Sequence, residues 1–321
     1  MLTSPIDGKC HIGIDVSKAS VDIHCLETGL SRQIPNTGAA IRKTFNVANN
    51  RLCGAFVVID MAGGHERLAC EILSACGIAV HRAQPYRVKS YIRACGQLAK
   101  TDRIDARLLA QYGQERRANL PLFQQHDRQQ LELKALVQRR DDLVAMQTQE
   151  KNRLSAPAMP RSVARTCKAV LATLERQIKS LANQIDKLIA QHEATRSKAA
   201  ILQNMPGIGP QTTRTLIALM PELGSMTERQ AASLAGLAPR ANDSGTRKGH
   251  RYVRGGRPAI RRAMFIAALS AARHDQCLKA HYQSLLKRGK KPIVAITAIA
   301  RKLIVIANAR LKELTQMPQL S

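Results

Sequence analysis

"CHIGIDVSKASVDIHCL" (residues 10–26) decides the fold. Ile12, Ile14 and Val16 recur at every second position and so share one face of a strand, and Val21, Ile23 and Cys25 do the same after a short break. A third short strand runs through "SRQIPN", followed by a helix across residues 38–50. "AFVVID" (55–60) is a continuous apolar run, as expected of a central strand covered on both faces. "GGHERLACEILSACG" reads as an amphipathic helix closed by Gly77, and "IAVHRA" as a further strand. Two helices complete the set, one from about Pro85 to Ala99 and one carrying Asp102. The order β-β-β-α-β-α-β-α is that of an RNase H-like α/β domain, expected over residues 1–125.

The last of these helices, "KTDRIDARLLAQYGQERR" (100–117), sets Asp102 and Asp105 three residues apart on one helix face. Taken alone, the pair is more simply read as acids complementing the positive end of a helix dipole. Two further aspartates change the weighing. Asp15 lies in the first strand and Asp60 ends the buried "AFVVID" run. In an RNase H-like sheet the first and fourth strands are parallel neighbours, which sets Asp15 beside Asp60 with Asp102 and Asp105 laid over them. Four carboxylates at one spot need a counter-charge. Two Mg²⁺ ions suit such oxygen ligands, and a metal pair can clamp the attacking and leaving oxygens of a phosphodiester.

Composition narrows the partner. Fifty Lys/Arg against 23 Asp/Glu give a formal charge of +27, far from an ordinary metabolic enzyme and pointing to nucleic acid rather than a membrane. Aromatics are 3% with no Trp, which favours phosphate contacts over base stacking. The length allows two or three domains. The eight cysteines contain no C-x-x-C pair and no histidine at zinc-finger spacing, so they read as reduced core thiols of a cytoplasmic protein, here expected to be bacterial and nucleoid-associated. No signal-peptide h-region opens the chain, and "PIVAITAIARKLIVIANA" is broken by Arg301 and Lys302, reading as a buried helix and not a membrane span.

Residues 126–200 lose all strand signal. Leu171, Leu174, Ile178, Leu181, Ile185 and Leu188 follow a 3-4-3-4-3 spacing, a coiled-coil seam that suggests a helical hairpin or an intermolecular coil, with a dimer favoured. The C-terminal part, 201–321, opens with "MPGIG", a turn between two helices. Its Gly207 and Gly209 expose backbone N–H groups suited to a phosphate, as in a helix-hairpin-helix element, and equally suit a plain helix–helix turn; the charge favours the former. Further on, Ser244 stands in the turn-rich "NDSGT", amid Arg240, Arg247, Lys248, Arg254, Arg257, Arg261 and Arg262. A serine there could attack phosphorus with guanidinium groups stabilising the added charge, although Ser-Gly in a loop is also ordinary turn chemistry.

"IGIDVSK", "VVIDMAGG", "KTDRIDARLLA", "MPGIG", "SLAGLAPRANDSGT" and "GGRPAIRRAMFIAALSAA" stand in the order found in the DEDD-type insertion-sequence transposases, and from about residue 10 to 310 the chain resembles that family. The group includes the Piv pilin-gene invertase and the bridge-RNA-guided recombinases. The resemblance implies a RuvC-like N-terminal nuclease domain, a coiled-coil middle and a C-terminal transposase domain. It also implies a metal-binding tetrad of Asp15, Asp60, Asp102 and Asp105, and Ser244 as a nucleophile forming a transient phosphoserine with DNA. Homodimers pairing into tetramers and a noncoding guide RNA encoded by the same element are implied as well. One position departs from the pattern: the family's second acid is usually glutamate followed by Ala-Thr-Gly, and here it is Asp60 followed by Met61-Ala62-Gly63.

The competing readings are a RuvC-like metal-dependent nuclease or resolvase in which Ser244 is only structural, and a non-catalytic nucleic-acid-binding protein. All three share a phosphate-dominated interface. For about six to ten phosphate contacts, DNA affinity should fall roughly 10³–10⁵-fold between 50 and 200 mM salt. A flat salt response in a binding titration would contradict this.

Overall fold

The alternating apolar residues form β1 (His11–Val16), which pairs antiparallel with β2 (Ser20–Cys25), itself antiparallel to β3 (Ser31–Pro35). On its other edge β1 pairs parallel with β4 (Phe56–Asp60), and β4 parallel with β5 (Ala79–Ala83), giving the order β3-β2-β1-β4-β5. This computed structural model describes residues 10–45, 54–96, 102–125, 127–246, 249 and 251–316, and the chain divides into two units, Met1–His126 and Asp127–Ser321.

In the first unit the helices are α1 (Gly38–Thr44), α2 (Arg67–Ala75), α3 (Pro85–Ala94) and α4 (Asp102–Arg116). The expected helix over 38–50 is described only to Thr44, since residues 46–53 lie outside the described residues. β4 shows why its sequence is apolar without alternation. Val57 and Ile59 pack with Ile12, Ile14, Ile41, Ile72 and Leu73 on the α1/α2 side. Phe56 and Val58 pack with Val88, Leu109 and Tyr112 on the α3/α4 side. A strand covered on both faces has no polar face to show.

Helix α4 comes unusually close to the sheet. A Cβ built on Gly13 would lie 1.9 Å from the Ala106 carbonyl oxygen and 2.4 Å from the Ala110 nitrogen, and one built on Gly113 would lie 2.7 Å from Val58 Cγ2. Ala106, Leu109, Ala110 and Gly113 occupy i, i+3, i+4 and i+7, so mostly small residues line the contact face.

The second unit is helical apart from a short ribbon: α5 (Arg128–Leu154), α6 (Arg161–Gln191), α7 (Glu193–Gln203), α8 (Pro210–Leu219), α9 (Glu228–Leu234), β6 (Pro239–Arg240), β7 (Tyr252–Val253), α10 (Pro258–His274), α11 (Gln276–Lys287) and α12 (Pro292–Gln316). α5 and α6 form a hairpin in which Leu171, Leu174 and Ile185 are buried and Ile178, Leu181 and Leu188 half-buried, so the seam is used within one chain. By length and composition α12 could cross a membrane, but Ile296, Ile299, Leu303, Ile304 and Ala307 are buried in the core of this unit.

G13A should force α4 off the sheet and lower the unfolding free energy by about 2 kcal/mol, as overpacking does. Gly209, with an ordinary φ of −84° and nothing within 4 Å of an added Cβ, is the control, and G209A should be near neutral. Urea denaturation of the full chain measures both.

Candidate active site and nucleic-acid interface

Strand alternation carries the first acids to one face. Ile12, Ile14 and Val16 point to the α1/α2 side of β1, so Gly13 and Asp15 point toward α4. On β4, Phe56 and Val58 face the α3/α4 side, and Asp60 continues that face. Ile14 and Ile59 are the last register partners of this parallel pair, which makes Asp15 and Asp60 the next residues at the two carboxyl ends. Helix α4 lays Ala106 over Gly13, and Asp105 immediately precedes Ala106. Asp15, Asp60 and Asp105 thus come to one end of the sheet, though their carboxylates are not all within 4.8 Å of one another. The backbone of Asp102 lies one helical turn before Ala106; its side chain is outside the described residues.

The Asp60 carboxyl is held above the ordinary carboxylate range. Burial disfavours its charge, and the Asp105 and Glu66 carboxylates add repulsion; the Met61 N–H, donating at 2.8 Å, and the Lys89 ammonium act the other way. Crowded oxygen donors that resist ionising together are the donor set a hard divalent cation satisfies.

Two acids near this end escape a reading of the sequence. Asp22 on β2 is the direct cross-strand partner of Asp15, and the Gln33 amide donates to both of its carboxylate oxygens at 3.2 and 3.0 Å. Period-2 spacing in "SVDIHC" marks its face, but only the register reveals the partner. Glu66 is fully buried behind the turn that follows Asp60. Its carboxylate accepts from the N–H groups of Ala62 (3.0 Å) and Gly64 (2.9 Å) and from Arg82 Nε (2.8 Å). Burial alone would raise its pKa; the main-chain N–H groups and the Arg82 charge outweigh that and hold it below the usual value. Glu66 and Arg82 shape the turn on which Asp60 stands.

In the second unit the predicted phosphate-gripping residues sort into two kinds. Gly207 has φ +74°, and a Cβ there would lie 2.2 Å from the Ala267 carbonyl oxygen, so this glycine lets the turn between α7 and α8 rest on α10. Gly209 is the open N-cap of α8. Ser244 is exposed in the loop joining β6 to β7. Arg240, Arg254 and Arg262 are exposed as well, while Arg247 and Lys248 lie outside the described residues. Arg257 and Arg261 are engaged in the fold. Arg257 makes a two-pronged pair with Glu222 (2.8 and 2.7 Å) and donates to the Leu219 carbonyl (2.7 Å). Arg261 donates to the Gly255 and Gly236 carbonyls at 2.9 and 3.4 Å. Gly256 packs so closely on Gly236 that a Cβ would lie 2.3 Å from its nitrogen, so the base of the ribbon is tightly built, while residues 241–246 of its loop are exposed.

Acids gathered at strand ends in one unit and an arginine-rich ribbon in the other are the outline of an enzyme that works on nucleic-acid phosphates. A family model described as a DEDD transposase of the IS110 type matches residues 12–157, and one described as the transposase IS116/IS110/IS902 family matches residues 199–283. The first match takes in all four aspartates and the second takes in Ser244 and its arginines. The chain is 28% identical over 317 residues to the pilin gene-inverting protein of Moraxella lacunata, covering 95% of this chain and 96% of that protein. With the pilin gene-inverting protein of Moraxella bovis it shares 30% identity over 234 residues, 71% of each. An insertion element IS110 protein of Streptomyces coelicolor is 23% identical over 379 residues, 94% of each. The chain belongs to the IS110-type DEDD transposase family. It is an enzyme acting on DNA, a transposase or DNA invertase by family, and its DEDD-type domain implies use of a divalent metal.

The division among the arginines is testable. R254A should weaken DNA binding about equally across sequences and reduce the log–log salt slope by about 1, with stability unchanged. R257A should leave the slope alone and lower stability by about 2 kcal/mol through loss of charged hydrogen bonds. Binding isotherms at several salt concentrations, paired with urea melts, separate the two.

Proposed function

We propose that this protein is an insertion-sequence transposase or site-specific DNA recombinase that cuts and rejoins strands through a covalent phosphoserine on Ser244, with Asp15, Asp60, Asp102 and Asp105 holding two Mg²⁺ ions in an RNase H-like, RuvC-type domain. The observation that carries the reading is the shared face of Asp15 and Asp60 at the carboxyl ends of adjacent parallel strands, with Asp105 brought over that face by α4. When bound, the metal supplies Lewis acidity and charge neutralisation for phosphoryl transfer. Asp60, a methylene shorter than the family's usual glutamate, is supported from behind by the turn that Glu66 and Arg82 brace.

Ser244 is the nucleophile in this reading. Its hydroxyl oxygen forms a bond to phosphorus as the bond to the leaving deoxyribose oxygen breaks. The serine proton is given up, the leaving oxygen takes one up to become a free hydroxyl, and religation reverses the exchange with no net hydrolysis. The exposed Arg240 and Arg254 are suited to steady the phosphate oxygens while Arg257 and Arg261 keep the ribbon base in place. A dimer that pairs into a tetramer follows from the family resemblance; because the α5–α6 hairpin closes its apolar seam within one chain, assembly through this coiled-coil region, residues 126–200, would use its outer faces. The turn bearing Gly209 is a helix-hairpin-helix-like grip on the backbone. A bridge-type noncoding RNA that selects donor and target DNA follows from the family resemblance, and work on nucleic acid puts the protein in the cytoplasm at the nucleoid.

Incubation with a supercoiled substrate carrying the element's ends, quenched in denaturant, should trap a protein–DNA adduct that S244A does not form. D60N should abolish cleavage, and EDTA should do the same reversibly. Full strand exchange by S244A would replace the serine mechanism with a metal-activated-water resolvase. Sequencing of RNA that copurifies with the protein tests the guide.

A further inference from the structure

The spacing of the cysteines conceals a cluster that the sheet assembles. Cys10 sits just before β1, and Cys25 ends β2 opposite Ile12. Both side chains join the α1/α2 face of the core, 5% and 2% exposed, and their sulfurs lie 3.0 Å apart. Glu27, at the rim, brings Oε2 to 3.8 Å from Cys25 Sγ. Among the described residues this is the one group of three thiol, imidazole or carboxylate side chains whose donor atoms all lie within 4.8 Å of one another.

The surroundings hold Glu27 in that pose. Its Oε1 is 2.7 Å from His11 Nδ1, and its Oε2 accepts from the His11 main-chain N–H at 2.9 Å. The carbonyl of Cys10 accepts from the Phe56 N–H at 2.7 Å, which ties the cysteine's backbone to β4. Two paired thiols need nothing more than each other and an apolar pocket. A carboxylate fixed beside them by two hydrogen bonds adds a charge that two thiols alone do not call for.

We propose that Cys10, Cys25 and Glu27 form a site for a thiophilic divalent cation, of which Zn²⁺ is the type, with His11 orienting the Glu27 carboxylate from behind. Two sulfurs and one carboxylate oxygen are zinc donors, a water at the Glu27 rim would supply the fourth, and a ligating carboxylate is itself held by hydrogen bonds such as those His11 makes. Zn–S bonds of about 2.3 Å in a tetrahedron set the sulfurs roughly 3.8 Å apart, so the thiols have to part by less than about 1 Å. Binding releases the thiol protons to solvent as the two Zn–S bonds form, with no change of oxidation state. A hard cation such as Mg²⁺ does not select sulfur. The site is separate from the aspartates: it lies at the amino end of β1 and on the α1/α2 face, whereas Asp15 is five residues on, roughly 17 Å along the strand, and faces α4. Its role is structural, pinning the start of β1 to the end of β2.

The test is metal titration of the full chain in excess Mg²⁺, using Zn²⁺ against a chromogenic chelator and Co²⁺ as a spectroscopic probe. One equivalent of Zn²⁺ per chain should bind, and Co²⁺ should show thiolate charge-transfer absorption that C10S/C25S lacks. E27Q, a change at the rim that spares the buried thiols, should weaken Zn²⁺ binding at least tenfold while keeping the thiolate band. H11N should weaken binding about 10–100-fold, as loss of an outer-shell partner does. Unaltered Zn²⁺ stoichiometry and affinity in both C10S/C25S and E27Q would overturn the proposal. So would a wild-type chain that binds no Zn²⁺ and instead joins Cys10 to Cys25 as a disulfide when treated with hydrogen peroxide.

Discussion

The distance between α4 and the sheet governs the first unit. Gly13 supplies no side chain, and Ala106 and Ala110 supply the smallest ones, so the helix backbone rests directly on the strand backbone. With a larger residue at any of these places the start of α4 would rise, and Asp105 with it. As built, Asp105 comes close enough to Asp60 for their charges to repel, on top of the penalty burial already places on Asp60. Such crowding costs stability and survives because the rest of the sheet over-determines it: the central strand is packed on both faces, and the following turn is clamped by the buried Glu66. The small residues thus set the packing distance and the height of Asp105 together.

This explains which parts of the fold were legible in the sequence. Period-2 spacing marks β1 and β2, and the unbroken run in β4 marks a strand with two covered faces; both signals are local, and all three strands form where expected. The faces of Asp15 and Asp60 follow from the same alternation. The partners of those acids do not. Asp22 becomes relevant only through its register opposite Asp15, and Glu66 only through hydrogen bonds to a turn and to a strand sixteen residues on. The Cys10–Cys25 contact was hidden for the same reason: a cysteine count reads spacing along the chain, while an antiparallel pair brings together residues fifteen apart.

The apolar seam of α6 shows a different limit. A 3-4 repeat establishes that one face of a helix is buried and is silent on what buries it. Here α5 covers that face in the same chain, with Leu133, Val137 and Leu143 turned inward, and α5 is in turn held to α8 by Gln130 donating to the Ile217 and Ala218 carbonyls. The hairpin therefore continues into the core of the second unit, and a seam that suggests association between chains is already occupied within one.

Charge makes the same point on a larger scale. A formal +27 is a sum, and a phosphate meets individual guanidinium groups. Around the β6–β7 ribbon, arginines indistinguishable in the sequence stand in two different environments. Arg257 carries its charge into a two-pronged pair with Glu222, and Arg261 bridges two carbonyls at the point where Gly236 and Gly256 touch. Both therefore hold the ribbon base against the helices. Arg240 and Arg254, a few residues away, are left in solvent. The anchored base fixes where the loop leaves and rejoins the helices, and the exposed cations near it can meet a ligand without first giving up an ion pair. Fixing the two ends of a loop in this way reduces the ordering that binding would have to supply, and so the share of the interaction energy spent on it.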